Sequence, residues 1–203
     1  MPDWDADSPE LRRNLTRTYA AIEGDARNRA PFSSLQHVKG WHASMMDGLT
    51  NVDNFPYGKF RGEPGLEEVP VWIGPYAGTA PEEVAAAVQD FDLKLQEYIK
   101  ELDEVWAPGV EPTDAMVARL LAVSAIVHAE WVRIHPFPNG NGRTARLLVN
   151  YLWLRYAGFS LLRVRPRPGY PYGEIARASM EGDWLPTAEY FAEVFAEIVN
   201  PEF

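Results

Sequence analysis

The chain has 203 residues, 46% of them apolar, which suffices for a sizeable core and is most simply one domain. Its 19 basic residues against 29 acidic ones leave a net charge of −10, which argues against general nucleic-acid binding but not against a small phosphate ligand held by local arginines. Cysteine is absent, which excludes disulfides and thiolate metal sites, and no signal peptide or long apolar span is read, so the expectation is a cytoplasmic protein without membrane association.

In chain order, Ser8-Pro9-Glu10 opens a helix that runs to about Ile22, with Pro in the first turn. Gly24 through Pro31 reads as a break, and a second helix spans Ser33 or Ser34 to around Gly48. Residues 49–80 are rich in Gly and Pro and hold the only strand-like patches, Lys59-Phe60-Arg61 and Val69 to Ile73, which predict a small hairpin. Pro81-Glu82-Glu83 begins a long helix to about Glu104. Thr113 then caps a helix that must close at His135, because Pro136 pushes its predecessor out of the α region. A further helix over 142–157 ends before Gly158, and 172–181 and 187–199 supply two more. The two central helices, with Val123, Ile126, Val127, Trp131 and Val132 in one and Leu147 to Leu154 in the other, are apolar nearly all round and therefore buried. The fold class is all-α, a helical bundle with one small β-hairpin, its inner helices meeting at the loop between them.

That loop, His135-Pro136-Phe137-Pro138-Asn139-Gly140-Asn141-Gly142-Arg143-Thr144-Ala145-Arg146, carries the chemistry. Unpaired N–H groups at a helix start disfavour cations, yet Arg143 and Arg146 lie there, three residues apart. A phosphate resolves that conflict, since glycines admit it to the backbone amides while guanidinium groups clamp its oxygens. Alone, Gly-Asn-Gly is as well explained by a turn and the arginines by a solvated helix end. His135 can serve as general base, or merely cap the last carbonyls of its helix. There is no P-loop, no dinucleotide-binding glycine pattern and no His/Asp/Glu spacing for a protein-only zinc site. His128, on an apolar inner helix, reads as a hydrogen-bonded core residue, and His37 as exposed.

The segment resembles the core motif of the Fic family, His-x-Phe-x-Asp/Glu-Gly-Asn-Gly-Arg-x-x-Arg, matching at His135, Phe137, Gly140, Asn141, Gly142, Arg143 and Arg146. A looser likeness extends over about 33–199. The resemblance implies a Fic domain over 33–203 behind an N-terminal helical extension over 1–32, and a protein adenylyltransferase that moves AMP from ATP to a Ser, Thr or Tyr hydroxyl. It implies ATP and Mg²⁺ as cofactors and His135 as base. Gly140, Asn141 and Gly142 would hold phosphate oxygens, with Arg143 and Arg146 on the β- and γ-phosphates. Asn139 stands where the family usually has an acidic metal ligand, and an amide carbonyl there can ligate a cation without a carboxylate's charge. Phe137 would pack beneath the loop, and His42 matches a histidine of structural role.

Gly58-Lys59-Phe60-Arg61 leading to Val71-Trp72-Ile73-Gly74 resembles the family's flap. Val71, Trp72 and Ile73 would dock an extended target protein by their strand edge, unless the hairpin simply closes the bundle with Trp72 as core. Tyr19-Ala20-Ala21-Ile22-Glu23-Gly24 partly matches an inhibitory helix whose glutamate pairs with the second motif arginine, so Glu23 is expected to oppose Arg146. Tyr170 or Tyr172 is a candidate for stacking on a base. Transfer of UMP, phosphocholine or phosphate, or a non-catalytic nucleotide- or peptide-binding module, are the competing functions, and a homo-oligomer is compatible with the sequence.

Overall fold

The computed structural model describes residues 7–50, 54–163 and 169–200. Seven helices and one hairpin stand among them: α1 Pro9–Arg27, α2 Ser34–Met46, β1 Trp72–Ile73, β2 Tyr76–Ala77, α3 Pro81–Val105, α4 Asp114–Ile134, α5 Asn141–Tyr156, α6 Tyr172–Met180 and α7 Leu185–Val199. Helix α5 lies at the centre against α4, with α1 and α2 on one side, while α3, α6 and α7 pack around α4.

The starts follow ordinary capping chemistry. Ser8 Oγ accepts from the N–H of Leu11 at 3.1 Å ahead of Pro9, and Thr113 Oγ1 accepts from that of Met116 at 3.3 Å. Helix α1 runs five residues past the expected stop at Ile22, straight through Gly24. A mid-helix glycine costs about 1 kcal/mol relative to alanine. Continuing the helix buries Ile22 and Ala26 completely in the main core, which outweighs that cost. The N-terminal extension is therefore packed into the same body as the rest: Leu11 and Leu15 make a second apolar cluster with Met45, Met46 and Leu49.

Helix α5 is buried at 14 of its 16 residues, as a helix without a polar face must be. Helix α4 is buried only along its C-terminal part, and residues 114–119 are exposed or half-buried. Against the expectation of no long apolar span, α4 is long and apolar enough to cross a membrane by length and composition, but it packs here as the core helix of the bundle. Two indoles fix its register on α5. Trp131 Nε1 donates to Thr144 Oγ1 at 2.8 Å, and Trp153 Nε1 donates to Ser124 Oγ at 3.0 Å, both pairs buried. Each bond satisfies a polar atom that would be costly to bury alone, so the helix pair cannot slide without losing both.

The hairpin differs from expectation. Lys59, Phe60 and Arg61 form no strand; they enter a turn, with Phe60 and Arg61 buried. The strands are Trp72–Ile73 and Tyr76–Ala77, antiparallel, with Trp72 opposite Ala77 and Ile73 opposite Tyr76. Trp72 is 65% exposed, so it does not close the core. Tyr76 donates its phenol proton to Glu181, the residue capping α6, which ties the hairpin to the bundle.

Candidate active site

Helix α4 ends because His135 takes a left-handed conformation, φ 53°, with its own N–H donating to Trp131 O at 3.0 Å. Left-handed backbone at a residue with a Cβ costs about 1–3 kcal/mol and persists only where surroundings over-determine it. The imidazole Nδ1 sits 3.0 Å from Val132 O. A carbonyl can only accept, so the proton is on Nδ1 and the lone pair on Nε2. The capping role and the base role are thus one arrangement: the cap fixes the tautomer that a base requires. Burial lowers the imidazole's proton affinity, the Val132 bond raises it, and the nearby positive charge of Arg61 lowers it further, to a pKa of about 4. At neutral pH His135 is therefore fully unprotonated, not partly so as an ordinary pKa would imply.

Beyond His135 the loop is knotted to itself by residues four apart. Asn141 Oδ1 accepts from Phe137 N–H at 2.8 Å, and Asn141 Nδ2 donates to Phe137 O at 2.7 Å. The side chain is 1% exposed. The side-chain amide of Asn141, expected on a phosphate oxygen, bonds the loop backbone here. Phe137 lies beneath, fully buried, stacked on His42 with ring centroids 3.9 Å apart and planes 9° from parallel. His42 Nε2 donates to Asn139 O at 3.0 Å and its Nδ1 accepts from Gly58 N–H at 2.9 Å. Burial drives its pKa down to about 3, so it is a neutral structural bridge, as expected. His37 is half-buried and stacked on Phe32 at 5.0 Å, so it is not exposed.

Gly140 caps α5 at φ 83°, and a Cβ there would lie 2.7 Å from Met46 Cε. The left-handed backbone favours glycine, and a side chain would also have to displace the Met46 methyl. The first N–H groups of α5 have no acceptor within the helix and converge at this end, as an anion cradle requires. Arg143 and Arg146 are each only 6% exposed, so neither is a solvated helix end. They diverge: Arg143 reaches toward α2, with Nη1 3.8 Å from Met46 Sδ, and Arg146 lies over the ring of Tyr172 in α6 at 5.0 Å.

Asn139 is placed otherwise than a metal ligand. Its Oδ1 accepts from Gly140 N–H at 2.5 Å and from Arg143 Nη2 at 3.0 Å. Both lone pairs are engaged and a guanidinium stands beside them. Among the described residues no three His, Asp or Glu side chains converge on a common point. The donor set does not fit a resident divalent cation.

Glu23 is not brought to Arg146. Its carboxylate accepts from Arg27 Nε at 3.0 Å and pairs with Arg27 Nη2 at 2.8 Å, one turn along α1. The uninterrupted helix supplies that i, i+4 partner. It also carries Glu23 to the α1 end that neighbours Ala30 and Tyr151, while Leu11 and Leu15 approach Met45 and Met46 beside the loop.

Two groups escaped the sequence. Tyr172, expected at most to stack on a base, is buried under Arg146; its hydroxyl donates to Gly142 O at 3.3 Å and lies 2.5 Å from Nε2 of the fully buried His128. Tyr170 remains 87% exposed. Arg61, taken for part of a strand, is 1% exposed and donates only to main-chain carbonyls around His135 and the hairpin. Nothing in its neighbourhood of sequence signalled that burial.

The family model described as Fic/DOC matches residues 32–153. The chain is 26% identical over 166 residues to protein adenylyltransferase Fic of Aedes aegypti, covering 82% of this chain and 28% of that protein. It is 31% identical over 147 residues to protein adenylyltransferase fic-1 of Caenorhabditis briggsae, covering 71% and 24%. The chain thus spans about a quarter of the length of these curated relatives. Among solved structures, a Fic-domain-containing signaling protein from Bacteroides thetaiotaomicron superposes with TM-score 0.66 at 20% identity, covering 91% of this chain and 67% of that one. BepC of Bartonella tribocorum, solved with bound AMPPNP, gives 0.60 at 16% identity, covering 91% and 85%. At these identities the structural likeness speaks for the fold.

Proposed function

This chain belongs to the Fic/DOC family, and from that premise we propose that it transfers AMP from ATP to a Ser, Thr or Tyr hydroxyl of a target protein. The observation that carries the proposal is His135: a neutral imidazole with its proton pinned on Nδ1 and its Nε2 lone pair available, one loop away from two buried arginines at a helix start. The target hydroxyl oxygen attacks the α-phosphorus of ATP and its proton passes to His135 Nε2. The bond from the α-phosphorus to the β-bridging oxygen breaks, and pyrophosphate leaves with the electron pair. Arg143, Arg146 and the first amides of α5, those of Asn141 and Gly142, stabilise the charge that accumulates on the departing oxygens.

Magnesium enters this scheme as part of the substrate, carried on the triphosphate of ATP, since Asn139 offers no unengaged oxygen. The target docks as an extended segment along the edge at Val71, Trp72 and Ile73. Support for that docking comes from the exposure of Trp72 and from Gly78 at the hairpin's exit, where a Cβ would stand 3.0 Å from His135 Cβ.

The test is intact-mass analysis of the protein and of lysate proteins after incubation with ATP and Mg²⁺, beside His135→Ala. An AMP-sized addition absent from the variant is expected, the base contributing about 10²–10⁴-fold. A phosphate-sized addition would reassign the site to kinase chemistry, and additions from UTP or a choline nucleotide would reassign the donor. Nucleotide binding with no addition from any donor would make it a binding module.

A further inference from the structure

We propose that Arg61 is the positioning residue of the base, a buried guanidinium that fixes His135 in its left-handed cap and couples it to the target-docking hairpin. Its Nε donates to His135 O at 2.8 Å and its Nη2 to Ile134 O at 3.2 Å. Its main-chain N–H donates to Pro136 O at 2.7 Å. Three consecutive carbonyls, those before, at and after the sharp turn, are therefore held by one residue. On the other side, Nη2 donates to Thr79 O at 2.7 Å and Nη1 to Val69 O at 3.3 Å, just outside the two strands of the hairpin. Thr79 N–H returns the link by donating to Ile134 O at 3.3 Å. Gly78 completes the contact, since a Cβ there would lie 3.2 Å from Arg61 Nη2.

The chemistry of this cluster is not that of an ordinary ion pair. Among the described residues no carboxylate lies within ion-pair distance of Arg61. A buried cation without a counter-ion is costly, and its burial lowers its own pKa to about 10, where it is still charged at neutral pH. What balances it is the negative end of the α4 dipole, whose last carbonyls it caps. Its field falls on the adjacent imidazole and disfavours the protonated form. The other charged groups on the surrounding elements include Glu130 and Arg133 of α4, paired with each other, Glu83 and Asp90 of α3, which line the same depression as Gly78 and Thr79, Lys39 of α2 with Glu63 of the loop, Arg143 and Arg146 of α5, and Glu181 at the end of α6, bonded to Tyr76. Of these and Arg61, it is Arg61 whose charge acts on His135. Only a guanidinium can do both tasks: a lysine keeps the charge but cannot fork across carbonyls on two elements.

The inference rests on His135 being the base, so its test includes a readout that needs no turnover. The full chain, with its histidines isotopically labelled and the His135 signal assigned from His135→Ala, is titrated by NMR as wild type, Arg61→Lys and Arg61→Met. Expected is a His135 that stays neutral to about pH 5 in wild type and in Arg61→Lys, and titrates about one unit higher in Arg61→Met. In parallel, kcat should fall at least about tenfold in both variants while KM for ATP stays within about twofold, a positional loss by the logic of mutant kinetics. An unmoved His135 titration and Nδ1–H tautomer in Arg61→Met would overturn the proposal and leave Arg61 a structural residue. If Arg61→Met does not fold, Arg61→Lys decides, and unchanged kcat there overturns it equally. A wild type with no transferase activity but with the Arg61-dependent titration would refute the catalytic assignment alone.

Discussion

The loop that carries the arginines is locked by bonds between residues four apart, Asn141 to Phe137, Arg143 to Asn139 and Thr144 to Gly140, whereas the carbonyls around His135 are held by a guanidinium 74 residues away in the chain. The two halves of the site meet at one turn, yet they are built by different means. The cradle's own bonds close once α4 and α5 are registered by Trp131 and Trp153, and the loop is seated on α2 and α6 by His42, Met46 and Tyr172. The base is correctly placed only when the segment from Gly58 to Thr79 has folded over it. The arginine loop's own bonds are short-range, whereas the turn at His135 depends on bonds from far along the chain.

Removing the lock within the cradle should break the comparison most visibly. Asn141→Ala leaves the N–H and C=O of Phe137 buried without partners, each costing about 1–3 kcal/mol. Chemical denaturation should therefore show a loss of about 2–6 kcal/mol, and nucleotide affinity should fall with it. A loss below about 1 kcal/mol would mean that the loop is held chiefly by packing of Phe137 on His42 and Phe60, and the local account of the cradle would be wrong.

This division also explains what could be read from the sequence. Helix starts at Ser8, Pro81 and Thr113 and the stop at His135 were legible because capping and proline chemistry act over four residues. The burial of α5, and of α4 from Leu120 on, followed from side chains with no polar face, while the exposure of residues 114–119 did not. Gly24 misled because its helix cost is local while the burial of Ile22 and Ala26 that outweighs it is tertiary. The same limit hid Glu23, whose partner depends on whether the helix continues to Arg27. Arg61 was hidden most fully: a charged residue in an alternating patch reads as exposed strand, and nothing nearby shows that five carbonyls from two other segments will converge on it. Within the motif, the bonds that the Asn141 and Asn139 side chains make to the loop itself were not legible, because they depend on how the chain turns between α4 and α5.

A pH series sharpens the contrast between base and cradle. Neutral His135 is the working form and its folded pKa is about 4, so kcat/KM should be level from about pH 8 to 6 and fall only as the pH approaches that value. Nucleotide binding, which does not call on His135, should not be lost with it. An acidic limb near 6.5 would mean that His135 is solvated as an ordinary histidine and that the enclosure by Arg61 and Gly78 does not hold in solution. Stability should move with the same sign. His42, His128 and His135 are all depressed from 6.5 by burial, to about 3, 3 and 4, so between those values and 6.5 the unfolded chain binds more protons than the folded one. Their contribution is intact above about pH 6.5 and is lost as the pH falls, so the melting temperature at pH 5 should lie below that at pH 7.

The smallest effect is expected where the sequence suggested a large one. Glu23→Gln removes the charge without the helix cost of glycine and breaks only the surface pair with Arg27, worth about 0.3–0.5 kcal/mol. Transfer activity should stay within about twofold of wild type, because Arg146 lies against Tyr172 on the α6 side of α5 and Glu23 lies on α1 beside Arg27. A rise of tenfold or more would require a second arrangement of α1 in which that carboxylate reaches the cradle. It would then be the cradle, not the base, that is open to long-range control, and the asymmetry between the two halves would be reversed.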